Sequence, residues 1–226
     1  MLQFLGLGAA FYPALKNNSA FFTVNNDLYL LDCGETVFAQ LWNMPALTSA
    51  EKITVVITHM HSDHMGSLAT LIPYCYFRLK KPVTVLFPHE KITQPLAAMG
   101  IAPSLYSWIP ASQPGDAVSF EPVEVEHIPN QPCFGYIISL GNEKIYYSGD
   151  AKFIPQKILD LFFEGSISKI YQDTALEEKN QTTHGSFAEM EKIFPLNVRS
   201  RVYCMHLDTD FRSLIIEKGF SLPPLV

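Results

Sequence analysis

Charge is the first thing this sequence is short of. Only 17% of its 226 residues are Asp, Glu, Lys or Arg, and 16 basic residues face 22 acidic ones, for a formal net charge of −6. A broad nucleic-acid-binding face needs a surplus of cations against phosphate, so this balance argues against one. The one tight basic cluster, Arg78-Leu79-Lys80-Lys81, reads as a solvated helix end favoured by the helix dipole. Long apolar runs are missing as well. No stretch approaches the roughly 20 residues of a membrane span, and Met1-Leu2-Gln3-Phe4-Leu5-Gly6 lacks the basic start and apolar core of an export signal. The expected location is cytoplasmic, with no membrane partner. The four cysteines, Cys33, Cys75, Cys133 and Cys204, form no Cys-x-x-Cys pair, which excludes a cysteine-based zinc site and leaves reduced, buried thiols. Gly6 and Gly8 lack the third glycine and following helix of a dinucleotide fingerprint.

What is present is core-forming material. Hydrophobic residues make up 48% of the chain, enough for a sizeable interior, and with no linker in view residues 1–226 are expected to form a single domain. Residues 2–7, Ser19–Val24 and Leu28–Leu31 read as strands, the last two as a hairpin about Asn25-Asn26-Asp27. Glu35–Leu47 has helical periodicity, and Ile53–Ile57 is a continuous apolar run of the kind buried on both faces of a sheet. A helix over Asp63–Leu79, bent at Pro73, a strand at Val83–Phe87 and a helix from His89 to Met99 follow. A Pro-rich stretch to Pro114 reads as a surface loop or a lid. The second half opens with short β runs at Ala117–Glu121, Val123–His127, Phe134–Leu140 and Lys144–Ser148. It closes with helices at Pro155–Phe163, Ser186–Phe194 and Asp208–Glu217 alternating with strands at Lys169–Gln172 and Arg201–Met205. Each half thus begins with β-hairpins and ends with alternating helices and strands.

The chemistry concentrates in His59-Met60-His61-Ser62-Asp63-His64, directly after the apolar run Ile53–Ile57. Imidazole nitrogens and a carboxylate oxygen are ligands for borderline divalent metals. An extended segment points alternate residues to one side, so His59 and His61 can chelate one ion together. A helix beginning near Ser62 turns Asp63 and His64 toward a second position. Three further candidates follow strand-like runs: His127 after Val123-Glu124-Val125-Glu126, Asp150 after Ser148-Gly149, and His206 after Val202-Tyr203-Cys204-Met205. Two ions about 3.5–4 Å apart need about three protein ligands each and a shared carboxylate.

Taken together, these residues resemble the metallo-β-lactamase superfamily: His-x-His-x-Asp-His at 59–64, a later His127, Asp150 after a glycine, and His206. Within it the chain is most similar to the ribonuclease Z branch. The matching segments are Phe4-Leu5-Gly6-Leu7-Gly8-Ala9-Ala10, Asn17-Asn18-Ser19-Ala20, Leu30-Leu31-Asp32-Cys33-Gly34-Glu35, His127 ahead of Phe134-Gly135-Tyr136, and Ser148-Gly149-Asp150. The resemblance implies an αββα fold of the α/β class, two facing mixed β-sheets with helices outside. It also implies one metal site of His59, His61 and His127, another of Asp63, His64 and His206, and Asp150 as a bridge. The ions would be two divalent metals, usually zinc, with manganese tolerated. A second catalytic pair of that branch matches Asp173 and His184. Asp173 would orient His184, and His184 would stabilise charge on a phosphoryl oxygen or protonate the leaving oxygen. The competing reading makes His184 a residue ahead of a helix that Ser186 and Glu189 cap.

Such a site suits in-line attack of a hydroxide on a phosphodiester, with Asp63 placed to take the nucleophile's proton. The resemblance fails in one place. Ribonuclease Z enzymes carry a long arm that grips tRNA between the Gly-Tyr strand and the Gly-Asp ligand, where this chain has only Ile137 to Ser148. A small phosphodiester is therefore the preferred substrate over tRNA, as in the compact, armless cyclic-nucleotide phosphodiesterases of the anti-Pycsar type, which hydrolyse cyclic pyrimidine mononucleotides. Phe11, Tyr12 and Trp108 are candidates to stack on a base. The alternatives are a tRNA 3′-processing endonuclease without the arm, and a non-catalytic, metal-stabilised binding protein. The resemblance also implies a homodimer.

Overall fold

The computed structural model describes residues 2–112, 117–180 and 182–226. Its first sheet runs in the order β1 (Gln3–Gly6), β2 (Ser19–Val24), β3 (Asp27–Leu31), β4 (Ile53–Val56), β5 (Val83–Leu86) and β6 (Tyr106–Ile109). The β1, β2 and β3 pairings are antiparallel, and those from β3 to β6 are parallel. The second sheet is built the same way. β7 (Val118–Glu124), β8 (Phe134–Leu140) and β9 (Glu143–Tyr147) pair antiparallel, and β9, β10 (Lys169–Asp173) and β11 (Val202–Met205) pair parallel. Both sheets are mixed, as expected.

Period-two alternation decides which side chains face inward. On β8, Tyr136 and Ile138 face the first sheet, where Phe4 meets Tyr147 and Phe22 and Tyr29 meet Phe120, whereas Ile137 faces the other way. On β9, Ile145 and Tyr147 point in and Tyr146 points out. The outer face of the second sheet is covered by Ile158 and Phe162 of α6 (Gln156–Phe163), Phe187 and Met190 of α7 (Phe187–Ile193), and Ile215 of α8 (Arg212–Glu217). The first sheet is covered by α1 (Val37–Leu41), α4 (Leu68–Pro73) and α5 (Thr93–Ala98), which bury Leu41, Leu71 and Leu96. All four cysteines are free and buried.

Several local expectations change. The helix expected over Glu35–Leu47 is two short ones, α1 and α2 (Pro45–Thr48), because the residue before a proline is driven out of helical geometry and Met44 is extended at ψ 141°. The helix expected over Asp63–Leu79 divides into α3 (Ser62–Met65), α4 and a π-helical segment at Tyr74–Leu79. Pro73, lacking an N–H, sits at the second junction. The His89–Met99 helix reduces to a 3₁₀ turn at Glu90–Ile92 and then α5, with exposed His89 accepting from the Lys91 N–H at 3.1 Å. The Pro-rich stretch contains a strand, β6, paired with β5; its last residues, 113 and 114, lie outside the described residues. The runs Ala117–Glu121 and Val123–His127 merge into the single edge strand β7, which tolerates Pro122 because an edge strand has one side free of ladder bonds. The last helix begins at Arg212, four residues later than expected.

Two bonds weld the sheets together where the histidine cluster begins. Tyr136 Oη donates to the Ile57 carbonyl at 2.8 Å, and the Phe134 N–H donates to the Thr58 carbonyl at 2.9 Å. Removing the hydroxyl with Tyr136→Phe leaves a buried carbonyl without its donor. We expect a loss of about 1–3 kcal/mol in equilibrium unfolding by urea; an unchanged midpoint would show that the bond contributes nothing.

Candidate metal centre

β4 ends at Val56, and Ile57 and Thr58 carry the chain on to His59. His61 remains extended (φ −69°, ψ 156°) before the first turn of α3, which holds Asp63 and His64. The change from extended chain to helix separates the two pairs, as the spacing predicts. Asp150 follows β9 through Gly149, whose φ of +59° suits glycine; a Cβ there would meet the Thr58 side chain at 2.7 Å. Asp173 ends β10, His206 directly follows β11, and His184 lies in the connection leading to α7. His127 differs from expectation. Strand β7 stops at Glu124 opposite Phe134, so His127 sits in the loop beyond, where its Nδ1–H donates to the Thr183 carbonyl at 3.0 Å.

These segments bring nine side chains together, among them six of the chain's seven histidines. His59, His61, His127 and Asp150 form one group whose ligand atoms lie within 4.8 Å of one another. Asp63, His64, Asp150 and His206 form a second. Asp150 offers a different oxygen to each. Its Oδ2 is 3.8 Å from His59 Nε2 and 3.7 Å from His127 Nε2, and its Oδ1 is 3.1 Å from His64 Nε2 and 3.4 Å from His206 Nε2. Asp63 Oδ2 lies 3.1 Å from His64 Nε2 and 3.2 Å from His206 Nε2. A third group contains Asp173 and His184: His184 Nδ1 is 2.8 Å from Asp173 Oδ2, which also accepts from the Ala151 N–H at 3.0 Å.

Electrostatics say what the cluster can hold. Asp32, Asp63, Asp150 and Asp173 are all buried, and among the described residues their ion-pair partners are histidines, with no lysine or arginine. Burial works against a charged imidazole, yet the surrounding carboxylates outweigh it. His64 is raised well above the usual imidazole value by Asp150, Asp32 and Asp63, and His206 is raised to about 10 by Asp150, Asp173 and Asp63. Burial likewise opposes ionisation of Asp63 and Asp150, but His64 and His206 hold both carboxyls below their ordinary range. His59 and His61 are lowered by burial and by neighbouring imidazoles, which leaves neutral nitrogens free to ligate. His184 is raised, burial being outweighed by Asp173 and Asp150.

The donor set fits a divalent metal. Metal–nitrogen bonds of about 2.0–2.1 Å in tetrahedral geometry place ligand atoms roughly 3.3 Å apart. His61 Nδ1 and His127 Nε2 are 3.3 Å apart, and so nearly are His64 Nε2 and His206 Nε2 at 3.4 Å. Asp150 Oδ1, buried in the middle, is approached by His64 Nε2 and His206 Nε2 but has no well-aligned hydrogen bond among the described residues.

The family model for Anti-Pycsar protein Apyc1 matches residues 1–222. The chain belongs to that family. An Anti-Pycsar protein Apyc1 of Paenibacillus harenae is 28% identical over 224 residues, covering 91% of this chain and 88% of the relative. Among solved structures, the metallo-β-lactamase fold protein YhfI of Bacillus subtilis superposes with a TM-score of 0.74 at 15% identity, covering 99% of this chain and 95% of its own. The short form of human tRNase Z superposes with a TM-score of 0.71 at 19% identity, covering 91% and 92%. The metallo-β-lactamase fold expected from the sequence is therefore the fold observed. Family, fold and donor set together make the chain a metal-dependent hydrolase.

Sequence reading missed the group that holds His64. Asp32, just past β3, accepts from the Thr58 N–H at 2.8 Å and lies 2.9 Å from His64 Nδ1. With Nδ1–H donating to that carboxylate, Nε2 presents its lone pair to the cluster. Asp32 itself is pushed up by burial, with His64 opposing. The available signal was an acid closing the apolar run Leu28–Leu31. Trp108 is not part of the site: it sits on β6, and its indole N–H donates to the Phe87 carbonyl at 3.0 Å.

Two outcomes follow for metal content. His61→Ala should lower the divalent metal retained after desalting, read by elemental analysis. Asp32→Asn should weaken metal affinity by about 10–100-fold in competition with a chelator, because an amide N–H facing Nδ1 favours the wrong tautomer. Unchanged affinity would remove Asp32 from the account.

Proposed function

We propose that the chain is a phosphodiesterase that uses two divalent ions, zinc in the first instance and manganese as a tolerated substitute, to hydrolyse a cyclic mononucleotide. The observation that carries this reading is the shape of the cavity over the cluster. It encloses about 660 Å³, within the range of small-molecule sites. His61, Asp63, Asp150, His184 and His206 lie along it, with Phe11 and Tyr12 also among its lining residues. Where ribonuclease Z enzymes carry their arm, Leu140 pairs directly with Glu143 and only Gly141-Asn142 turn the chain. Nothing at that hairpin is long enough to hold a tRNA, and the chain's acidic balance supplies no substitute. The family to which the chain belongs carries the Anti-Pycsar name, which agrees with a cyclic pyrimidine nucleotide.

In this reading His59, His61, His127 and Asp150 hold one ion, and Asp63, His64, His206 and Asp150 hold the other. Ions held there would supply charge against the phosphate oxygens and lower the pKa of an attacking water. Asp63, on the cavity wall, would accept a proton from the nucleophile. His184, whose imidazole Asp173 shifts toward its protonated form, stands about one-fifth exposed at the cavity and can donate a proton to the leaving ribose oxygen. Fully exposed Phe11 and half-buried Tyr12 can stack on the base.

Purified protein with Zn²⁺ or Mn²⁺, offered 3′,5′-cyclic mononucleotides, bis-p-nitrophenyl phosphate and a precursor tRNA, should open the cyclic nucleotides and leave the tRNA intact. Cleavage of tRNA alone would replace this reading with the endonuclease, and inactivity with metal bound would make the protein a binding module. Asp63→Ala should reduce turnover by about 100-fold or more, in line with loss of a general base; near-normal turnover would sink that role. The homodimer implied by the resemblance is read separately by sedimentation velocity, where a species of about one chain mass would reject it.

A further inference from the structure

Asp208 lies two residues past His206 and belongs to none of the three ligand groups. Its half-buried carboxylate accepts three hydrogen bonds from one segment. Oδ1 takes the Leu176 N–H at 3.0 Å, and Oδ2 takes the Glu177 N–H at 3.0 Å and Asn180 Nδ2–H at 2.8 Å. That segment runs from Asp173 at the end of β10 to His184. Its base is tied where the Ala175 N–H donates to the Gly185 carbonyl at 2.7 Å and the Phe187 N–H donates to the Ala175 carbonyl at 3.0 Å. Asp208 ties its middle. From there the Asn180 carbonyl accepts the His184 N–H at 3.2 Å and the Thr183 N–H at 3.4 Å.

We infer that Asp208 is a positioning residue that acts on the reaction through His184, by fixing Leu176, Glu177 and Asn180 to the end of β11. Two connections set where the His184 imidazole stands. Asp173 holds its ring from the sheet side, and the chain Asp208–Asn180 holds its backbone from the cavity side. The same clasp steadies Thr183, whose carbonyl accepts from His127. A carboxylate that gathers two consecutive backbone N–H groups and a side-chain amide leaves a connection whose only regular turn is the 3₁₀ helix Glu178–Asn180, among the described residues, with few ways to move. Without it, the imidazole samples positions away from the leaving oxygen, and a displacement of about 1 Å is enough to cost tenfold or more in rate. This inference rests on the phosphodiesterase reading, and bis-p-nitrophenyl phosphate tests it without regard to the base.

Asp208→Ala in the metal-loaded protein should speed hydrogen exchange at the Leu176 and Glu177 amides and lower kcat about 10-fold, with KM changed less than about twofold. Its metal content should match that of the parent. In a His184→Ala background the same substitution should change kcat by less than about twofold, since its route to the reaction is already gone. Asn180→Ala, which cuts the link and keeps the carboxylate, should give the same pattern and serves if Asp208→Ala does not fold. Equal losses of kcat in both backgrounds, or unchanged exchange and turnover, would overturn the inference alone. A parent protein that cleaves no phosphodiester would overturn the functional reading and this inference with it.

Discussion

Four buried carboxylates whose ion-pair partners among the described residues are histidines set the terms for this molecule. Taking an ionised carboxylate out of water costs several kcal/mol even after relaxation, unless a cation compensates it. Neutral imidazoles do not. Either protons on His64 and His206 supply positive charge or metal ions do, and the neutral nitrogens of His59 and His61 are suited only to the second arrangement. The concentration of negative charge that would be a defect in an ordinary core is here the affinity for a metal.

The fold places that charge at one edge by repeating a plan twice. Each sheet begins antiparallel and continues parallel, and the parallel parts deliver Asp173 at the carboxyl end of β10 and His59, Asp150 and His206 beyond those of β4, β9 and β11. Open α/β sheets bind ligands at those ends. The backbone itself is strained there. Asp32 and His206 have positive φ of 62° and 54°, a geometry costing about 1–3 kcal/mol that persists only where surrounding contacts over-determine it. At Asp32 those contacts are Thr58 and His64, which makes the carboxylate part of both the fold and the site.

How much could be read in advance follows from the range of each interaction. The His59–His64 cluster was legible because its ligands are neighbours and the change from strand to helix is local. Asp150 and His206 were legible as residues closing apolar strands. Asp32 and Asp208 were not, since their partners lie 32 and about 30 residues away and nothing near them in sequence marks the pairing. Strand β6 was hidden by the prolines around it: Pro103 and Pro110 flank four residues that gain their identity only from pairing with β5. The broken helices at 35–47 and 63–79 show the opposite fault, apolar periodicity running on through Pro45 and Pro73 where the backbone cannot.

The central claim is that the two histidine–aspartate groups are cation sites sharing Asp150. Anomalous diffraction across the zinc absorption edge, from crystals grown with Zn²⁺, tests it most directly. The account predicts two peaks, one among His59, His61, His127 and Asp150 and one among Asp63, His64, His206 and Asp150. Density that shows ordered side chains and no anomalous peak in the cluster would contradict it.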